Sequence, residues 1–323
     1  MVPFPDFQLP ESLTEAGIEA SVRENPSSPT GRTTPGGTNR GLDWDTVTPA
    51  DFARRIEFGL RLATEASRVT LQYFRTDSFR VERKNDRSPV TLADKQAEQT
   101  VRKLVESHYP DDAILGEEFG GIAGTTPFEW IIDPIDGTKS FISGVPLYST
   151  LVGLTYRSQP VLGVIAIPAL GEVVVGAQGL GAWYGMASQV NRDRPILNRA
   201  HVNQVDDLAD GLFLTSQVDN FNRRDAQSAY RNLESIAYVS RSWGDGYGYL
   251  LVATGRAELM VDPIVNPWDV AAVAPVITEA GGKFTSWAGI EDIRAGHCLA
   301  SNGKVHEVAI RELKPFANKP LGD

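Results

Sequence analysis

The sequence predicts an α/β protein of two subdomains dividing near residues 195–200, and three observations carry that prediction. Apolar residues recur at helical spacing after a capping signal at Thr48; short apolar or alternating runs broken by Gly and Pro fill the middle; beyond about residue 200, helix and strand signals alternate. A chain of 323 residues is long enough for one large domain or two packed subdomains. It shows no internal repeat.

Residues 1–46 stand apart in composition. Glu24-Asn25-Pro26-Ser27-Ser28-Pro29-Thr30-Gly31 runs on into Pro35-Gly36-Gly37, rich in turn formers and poor in large apolar residues. The stretch reads as a mobile arm, with a lid over a neighbouring surface as the alternative. The folded part then begins at Thr48-Pro49-Ala50-Asp51, where Thr suits an N-cap, Pro the first helical position and Asp the positive end of the dipole. Phe52, Ile56, Leu60, Ala63 and Tyr73 continue that helix to about Phe74, and Ala93, Ala97, Val101 and Leu104 mark another over Thr91–Ser107. Strands are expected around Trp130-Ile131-Ile132 and over Thr150–Thr155, Val161–Ile167 and Val173–Gly176. Leu212–Thr215 and Glu258–Val261 read as strands and Gly244–Thr254 as a helix. Trp268–Ala280 reads as a single helix closed by Gly281-Gly282. The expected organisation is an arm over 1–46, an α+β subdomain over 47–197 and an α/β subdomain over 198–315.

Composition narrows the function. The net charge is −10 with a pI near 5.0, which argues against nucleic acid, since phosphate backbones need clustered Lys and Arg. One cysteine, Cys298, excludes an internal disulfide and reads as a small buried residue of a strand. Four histidines, at 108, 201, 297 and 306, lack the spacing of a zinc hydrolase. No apolar run reaches the roughly 18 residues of a membrane span. Asp6 and Glu11 interrupt an N-terminus that has no cationic start, so no signal peptide is expected and the default location is cytoplasmic.

The informative segment is Trp130-Ile131-Ile132-Asp133-Pro134-Ile135-Asp136-Gly137-Thr138. A buried strand runs into two acids three residues apart. Pro134 takes the chain out of the sheet so that both carboxylates can converge, and Gly137 permits close backbone approach beside amides able to cradle an oxyanion. Gly116-Glu117-Glu118-Phe119-Gly120 and Pro267-Trp268-Asp269 add two more acid clusters. Taken singly these are a strand-end turn, a solvated turn and a helix cap. Together they offer hard oxygen ligands without companion His or Cys, the chemistry of Mg²⁺. A divalent metal would also supply the positive charge that an acidic protein needs against a phosphate ester.

At these residues the sequence resembles the inositol monophosphatase superfamily of Mg²⁺-dependent, Li⁺-sensitive phosphatases. The matching blocks are GEE at 116–118, WIIDPIDGT at 130–138 and PWDVAAVAPVITEAGG at 267–282, within a resemblance over about residues 50–310. It implies a layered αβαβα sandwich, a homodimer, and two or three Mg²⁺ per site. By position, Glu117, Asp133, Asp136, Asp269 and the Ile135 carbonyl would be the metal ligands. Thr138, paired with Asp94, would orient the attacking water, Gly137 and Thr138 would bind phosphate, and Lys84 would lie near the metal pocket. An aspartyl nucleophile at Asp133 would leave Glu117 and Asp269 unexplained.

Within the superfamily, Lys139-Ser140-Phe141-Ile142-Ser143-Gly144 and Trp243-Gly244-Asp245-Gly246-Tyr247-Gly248-Tyr249 resemble the histidinol-phosphate phosphatase branch. Gly246 and Gly248 replace that branch's usual cysteine and alanine. Trp268 is the aromatic of inositol phosphatases, and Asn266 departs from a common lysine. Asp245 and Asp262 would face the leaving group and favour a cationic alcohol such as histidinol by Coulomb attraction, unless Asp245 only caps helix 244–254. Arg241 would pair with one of these acids or lie in a subunit contact. The expected reaction is hydrolysis of histidinol phosphate by metal-activated water, with an inositol 1-phosphate or related sugar phosphatase as the alternative. A non-catalytic metal-binding regulator is the reading from another class.

Overall fold

Segments of alternating apolar residues in the middle of the chain build an antiparallel-rich sheet that both faces of the protein must cover. The computed structural model describes residues 4–24, 42, 46–76, 81–83, 89–187 and 195–321. The chain opens with α1 (Glu15–Glu24), α2 (Pro49–Tyr73), the paired β1 (Val81–Arg83) and β2 (Pro89–Thr91), and α3 (Leu92–His108). There follow β3 (Ala113–Gly116), β4 (Gly120–Ile122), β5 (Phe128–Asp136), the short α4 (Thr138–Ile142) and β6 (Ser149–Tyr156). Then come β7 (Gln159–Ile167), β8 (Glu172–Ala177), β9 (Gly181–Met186) and β10 (Asn198–Ala200). The second half runs β11 (Leu212–Leu214), α5 (Asp219–Arg223), α6 (Gln227–Ile236), β12 (Val239–Arg241), α7 (Gly246–Ala253) and β13 (Leu259–Asp262). It ends with α8 (Pro267–Val270), α9 (Val273–Glu279), β14 (Lys283–Thr285), β15 (Cys298–Ser301) and α10 (His306–Leu313).

Eight strands form one sheet, ordered β10-β9-β8-β7-β6-β5-β3-β4, and five form another, ordered β12-β11-β13-β15-β14. Alternation assigns the faces. Trp130, Ile132, Val152 and Val164 pack under α2 and α3, whereas Ile131, Leu151 and Ile165 pack on α7, α8 and α9. Those three helices also meet Met260 and Ala300 of the five-stranded sheet, whose outer face buries Phe213, Val261 and Leu299 against α6 and α10. The layers therefore run αβαβα, as the resemblance implies. With helices on both faces, every residue of β6 is buried.

The helix starts follow the expected capping chemistry. The Thr48 side chain accepts from Asp51 N at 3.1 Å with Pro49 in the first turn, and Thr91 and Asp94 form a reciprocal capping box on α3. Three expectations change. Residues 4–24 are docked, not a mobile arm: Phe4, Phe7, Leu13 and Ile18 are buried in the core beside α2, and Gln8 N donates to Pro195 O at 2.9 Å. Leu42 is buried and Thr46 Oγ1 meets Tyr156 OH at 2.8 Å; the Pro- and Gly-rich run 25–41 lies outside the described residues. β10 pairs with β9, so the chain leaves the large sheet after Ala200, a little beyond the expected 197/198 boundary.

The helix expected over 268–280 is two helices joined at Ala271-Ala272. Pro275 has no N–H for the Ala271 carbonyl, and its ring crowds that group. The break presses into a trough of three glycines paired in register across neighbouring strands, Gly153 with Gly163 and Gly163 with Gly176. A Cβ on Gly163 would fall 1.9 Å from Ala272 O, and one on Gly176 would fall 2.5 Å from Val276 Cα. Only glycine admits the helix this close. The trough thereby fixes how deep α8, with Asp269, sits against β5. Among the described residues, no helix is long and apolar enough to cross a membrane.

Candidate metal centre

In a regular strand, residues three apart point to opposite faces. Asp133 and Asp136 escape that rule through a bulge at the end of β5. Asp133 pairs with Leu151 and Asp136 with Ser149, so two residues, Pro134 and Ile135, stand opposite Thr150 alone. Thr150 Oγ1 donates to Pro134 O at 2.8 Å, and Pro134 has no ladder N–H to lose. The extra residue restores parity. Oxygens of Asp133, Asp136 and Asp269 all lie within 4.8 Å of one another.

Each of these carboxylates is pinned through one oxygen by a backbone N–H. Ile135 N donates to Asp133 Oδ1 at 3.1 Å, Gly246 N to Asp136 Oδ2 at 2.5 Å, and Asn266 N to Asp269 Oδ2 at 2.7 Å. Ser149 Oγ also donates to Asp136 Oδ2, at 2.6 Å. The second oxygen of each acid accepts no hydrogen bond among the described residues. Asp94 repeats the pattern below them, its Oδ2 taken by Thr91 N at 2.7 Å and Thr91 Oγ1 at 2.6 Å.

Burial, then mutual repulsion, sets their protonation. Desolvation raises Asp133 and Asp136 well above the usual carboxylate range; Glu117, Asp136 and Asp269 push Asp133 further, and Asp245 and Asp269 do the same to Asp136. Burial carries Asp269 to about 7 and Asp94 to about 6. Oriented, converging oxygens, with no His, Cys or cationic side chain among them in the described residues, fit a hard divalent cation such as Mg²⁺.

A cavity of about 280 Å³ opens over this cluster, reached by Glu117, Thr138, Lys139 and Asp245. A larger one, about 510 Å³, lies at the far end of α9 beside Thr278 and Glu279 and holds none of these acids. Gly137, at φ +83°, caps α4 in the left-handed region, and a Cβ there would meet Asp245 Oδ2 at 2.5 Å. Thr138 Oγ1 donates to the Ile135 carbonyl at 3.2 Å.

Several expected placements differ. Asp94 bonds Thr91 rather than Thr138. Asp245 does not cap α7: it makes no side-chain bond to that helix, and Asp136 takes the Gly246 N–H instead. Its backbone is strained at φ 56°, its N–H is held by Ser216 Oγ at 2.9 Å, and burial with the nearby Asp262 raises it to about 6. Asp262 is no open acid. Ser216 N and Thr215 occupy Oδ1, and Ser216 Oγ and Tyr249 OH occupy Oδ2, the last at 2.7 Å. Arg241 pairs with neither acid; it lies exposed on edge strand β12 and donates to Ser240 O at 2.7 Å. Lys84 lies outside the described residues.

Sequence reasoning missed Glu98, Lys139 and Ser149. Glu98 takes the amides of Glu118 and Phe119, and Lys139 donates to Gln217 across the cavity mouth. The readable signal for Glu98 was its spacing, four residues after Asp94 and four before Arg102.

Residues 51–316 match the inositol monophosphatase family. The histidinol-phosphatase of Streptomyces coelicolor is 37% identical over 261 residues, 80% of this chain and 96% of that protein. That of Mycobacterium tuberculosis is 35% identical over 254 residues, 79% and 95% of the two chains. Among solved structures, an inositol monophosphatase from Zymomonas mobilis superposes with a TM-score of 0.68 at 28% identity, covering 81% of this chain and 98% of that one.

Proposed function

Because the chain belongs to the inositol monophosphatase family and is a phosphoric monoester hydrolase, we propose that it hydrolyses histidinol phosphate with Mg²⁺. The observation that carries the metal reading is the pinned cluster, in which Asp133, Asp136 and Asp269 each keep one oxygen unused by the described residues in a buried site. Those three, with Glu117 and the Ile135 carbonyl, would hold two or three cations, and Li⁺ would inhibit by competing there. Mg²⁺ supplies positive charge against the phosphate oxygens and lowers the pKa of water. Amides at Gly137 and Thr138 receive phosphate oxygens, while the Thr138 hydroxyl and Asp94 align water on the phosphorus. Asp245, beside Gly137 on the cavity wall and near enough to Asp136 to raise it, faces a cationic leaving group. We assign Asp262 to holding Ser216 and Tyr249, and through Ser216 the Asp245 backbone. Arg241, exposed on β12, suits a subunit contact in a homodimer.

A second reading, an inositol or related sugar phosphate, is favoured by Lys139, which lies near enough to offset the Asp245 charge, beside the neutral Gln217 amide. Phosphate release from histidinol phosphate, inositol 1-phosphate, fructose 1,6-bisphosphate and 3′-phosphoadenosine 5′-phosphate, with and without Mg²⁺, decides between them. Histidinol phosphate is expected to give the highest kcat/KM. A preference for inositol 1-phosphate overturns the substrate, and turnover unaffected by chelation overturns the metal.

A further inference from the structure

Glu117 stands in a tight turn between β3 and β4, where side-chain position depends on what holds the backbone. That turn is gripped from behind by one buried ion pair on α3. Glu98, fully buried, accepts from Glu118 N at 2.7 Å through Oε2 and from Phe119 N at 3.2 Å through Oε1. Arg102 Nε donates to Glu98 Oε1 at 2.8 Å, and its guanidinium also donates to the Gly120 carbonyl. Carboxylate and guanidinium thus hold the turn at three successive residues. Gly116 exists to admit them, since a Cβ there would fall 2.1 Å from Glu98 Oε1. On the other side, Glu117 N donates to Ile132 O at 3.3 Å, next to Asp133. One helical turn before Glu98, Asp94 lies close enough to Glu117 to be raised by its charge.

We propose that Glu98, locked by Arg102, is a positioning residue that sets Glu117 for cation binding; this rests on the reading of Glu117 as a metal ligand. An ion pair serving stability alone would need no contact with the turn. Here the carboxylate spends two of its bonds on the amides just after Glu117, which fixes the direction that residue leaves the chain. Hydrogen-bond partners behind a ligand typically govern affinity this way.

The test is Glu98→Gln in the full chain, where the new amide group must confront one of three N–H donors. Mn²⁺ and Mg²⁺ binding is measured by calorimetry, with amide exchange over residues 117–120 and the metal-free melting temperature. The dissociation constant is expected to rise about tenfold to a hundredfold, with faster exchange at Glu118 and Phe119. A folded variant with wild-type affinity overturns the proposal, whatever its melting temperature. If Glu98→Gln fails to fold, Arg102→Lys keeps the charge but loses the fork spanning Glu98 and Gly120. It should weaken binding by about tenfold, and wild-type affinity again overturns the idea. Glu117→Gln is the control. Should it bind metal normally, the metal-ligand reading of Glu117 falls first and the positioning role falls with it.

Discussion

Asp245 combines a left-handed backbone, a buried carboxylate raised to about 6 and a neighbour, Gly137, that no larger residue could replace. Asp245→Asn is expected to lower kcat/KM for histidinol phosphate about tenfold to a hundredfold, the loss of a charge-assisted contact worth about 1.5–3 kcal/mol. Inositol 1-phosphate should be affected far less. In the wild type, the preference for the cationic substrate should also fade as pH drops through about 6, because protonation removes the charge. Equal losses on both substrates would show that the substitution disturbs the whole wall. Asp136→Asn tests the acid cluster itself. Its amide oxygen can still accept from Gly246 and Ser149, which preserves the fold, but its NH₂ then faces the cation position. Turnover should fall about a hundredfold or more with an unchanged far-ultraviolet spectrum, and an unaltered rate at unaltered Mg²⁺ demand would refute the cluster. The clustering acids were readable because one short motif supplies two of them. Asp262 was not, because its engagement by Ser216 and Tyr249 joins segments distant in sequence.

Elements with local start signals were legible: α2 and α3 begin where Thr48 and Thr91 place them. Elements whose reasons are non-local were not. Nothing near Phe4 and Phe7 announces that they are buried, since most of the core they join lies beyond residue 45 in the sequence. That burial changes what truncation should do. Removing residues 1–24 takes Phe4, Phe7, Leu13 and Ile18 out of the core, and each such side chain contributes about 1.5–3 kcal/mol when fully buried. Offset by the chain entropy regained, the expected result is a clearly lower melting temperature with kcat per folded molecule unchanged, since the cluster lies elsewhere. A melting temperature equal to wild type would mean that the segment is not docked. The break between α8 and α9 was announced by Pro275, but the apolar periodicity around it reads through the proline as one helix.

For the molecule as a whole, the acid cluster makes stability run against pH until a cation arrives. Unfolded aspartates titrate near 4, whereas burial and mutual repulsion raise Asp94 and Asp245 to about 6, Asp269 to about 7, and Asp133 and Asp136 well above the usual range. Between about pH 4 and 7 the folded state therefore binds more protons than the unfolded chain, and metal-free stability falls as pH rises. Mg²⁺ requires the ionised acids, so its stabilising increment should grow over the same window. Calorimetry in chelator and in excess Mg²⁺ at about pH 5 and 7.5 checks both slopes; a metal-free protein that gains stability toward pH 7.5 contradicts the assignment.

The glycine trough carries a kinetic consequence. Gly153, Gly163 and Gly176 form a groove only once β6, β7 and β8 have paired in register, and only then can Asp269 reach acids more than a hundred residues earlier. Contacts so distant along the chain carry a large loop-closure cost, and the expectation is that the cluster is completed only after the rate-limiting barrier to folding. A cation that recognises only the finished cluster stabilises the native state without stabilising that barrier. In stopped-flow mixing, Mg²⁺ at about a hundred times its dissociation constant should slow unfolding roughly a hundredfold and leave the refolding rate where it was. Acceleration of refolding by Mg²⁺ would mean instead that the three strands and α8 are already in place at the barrier.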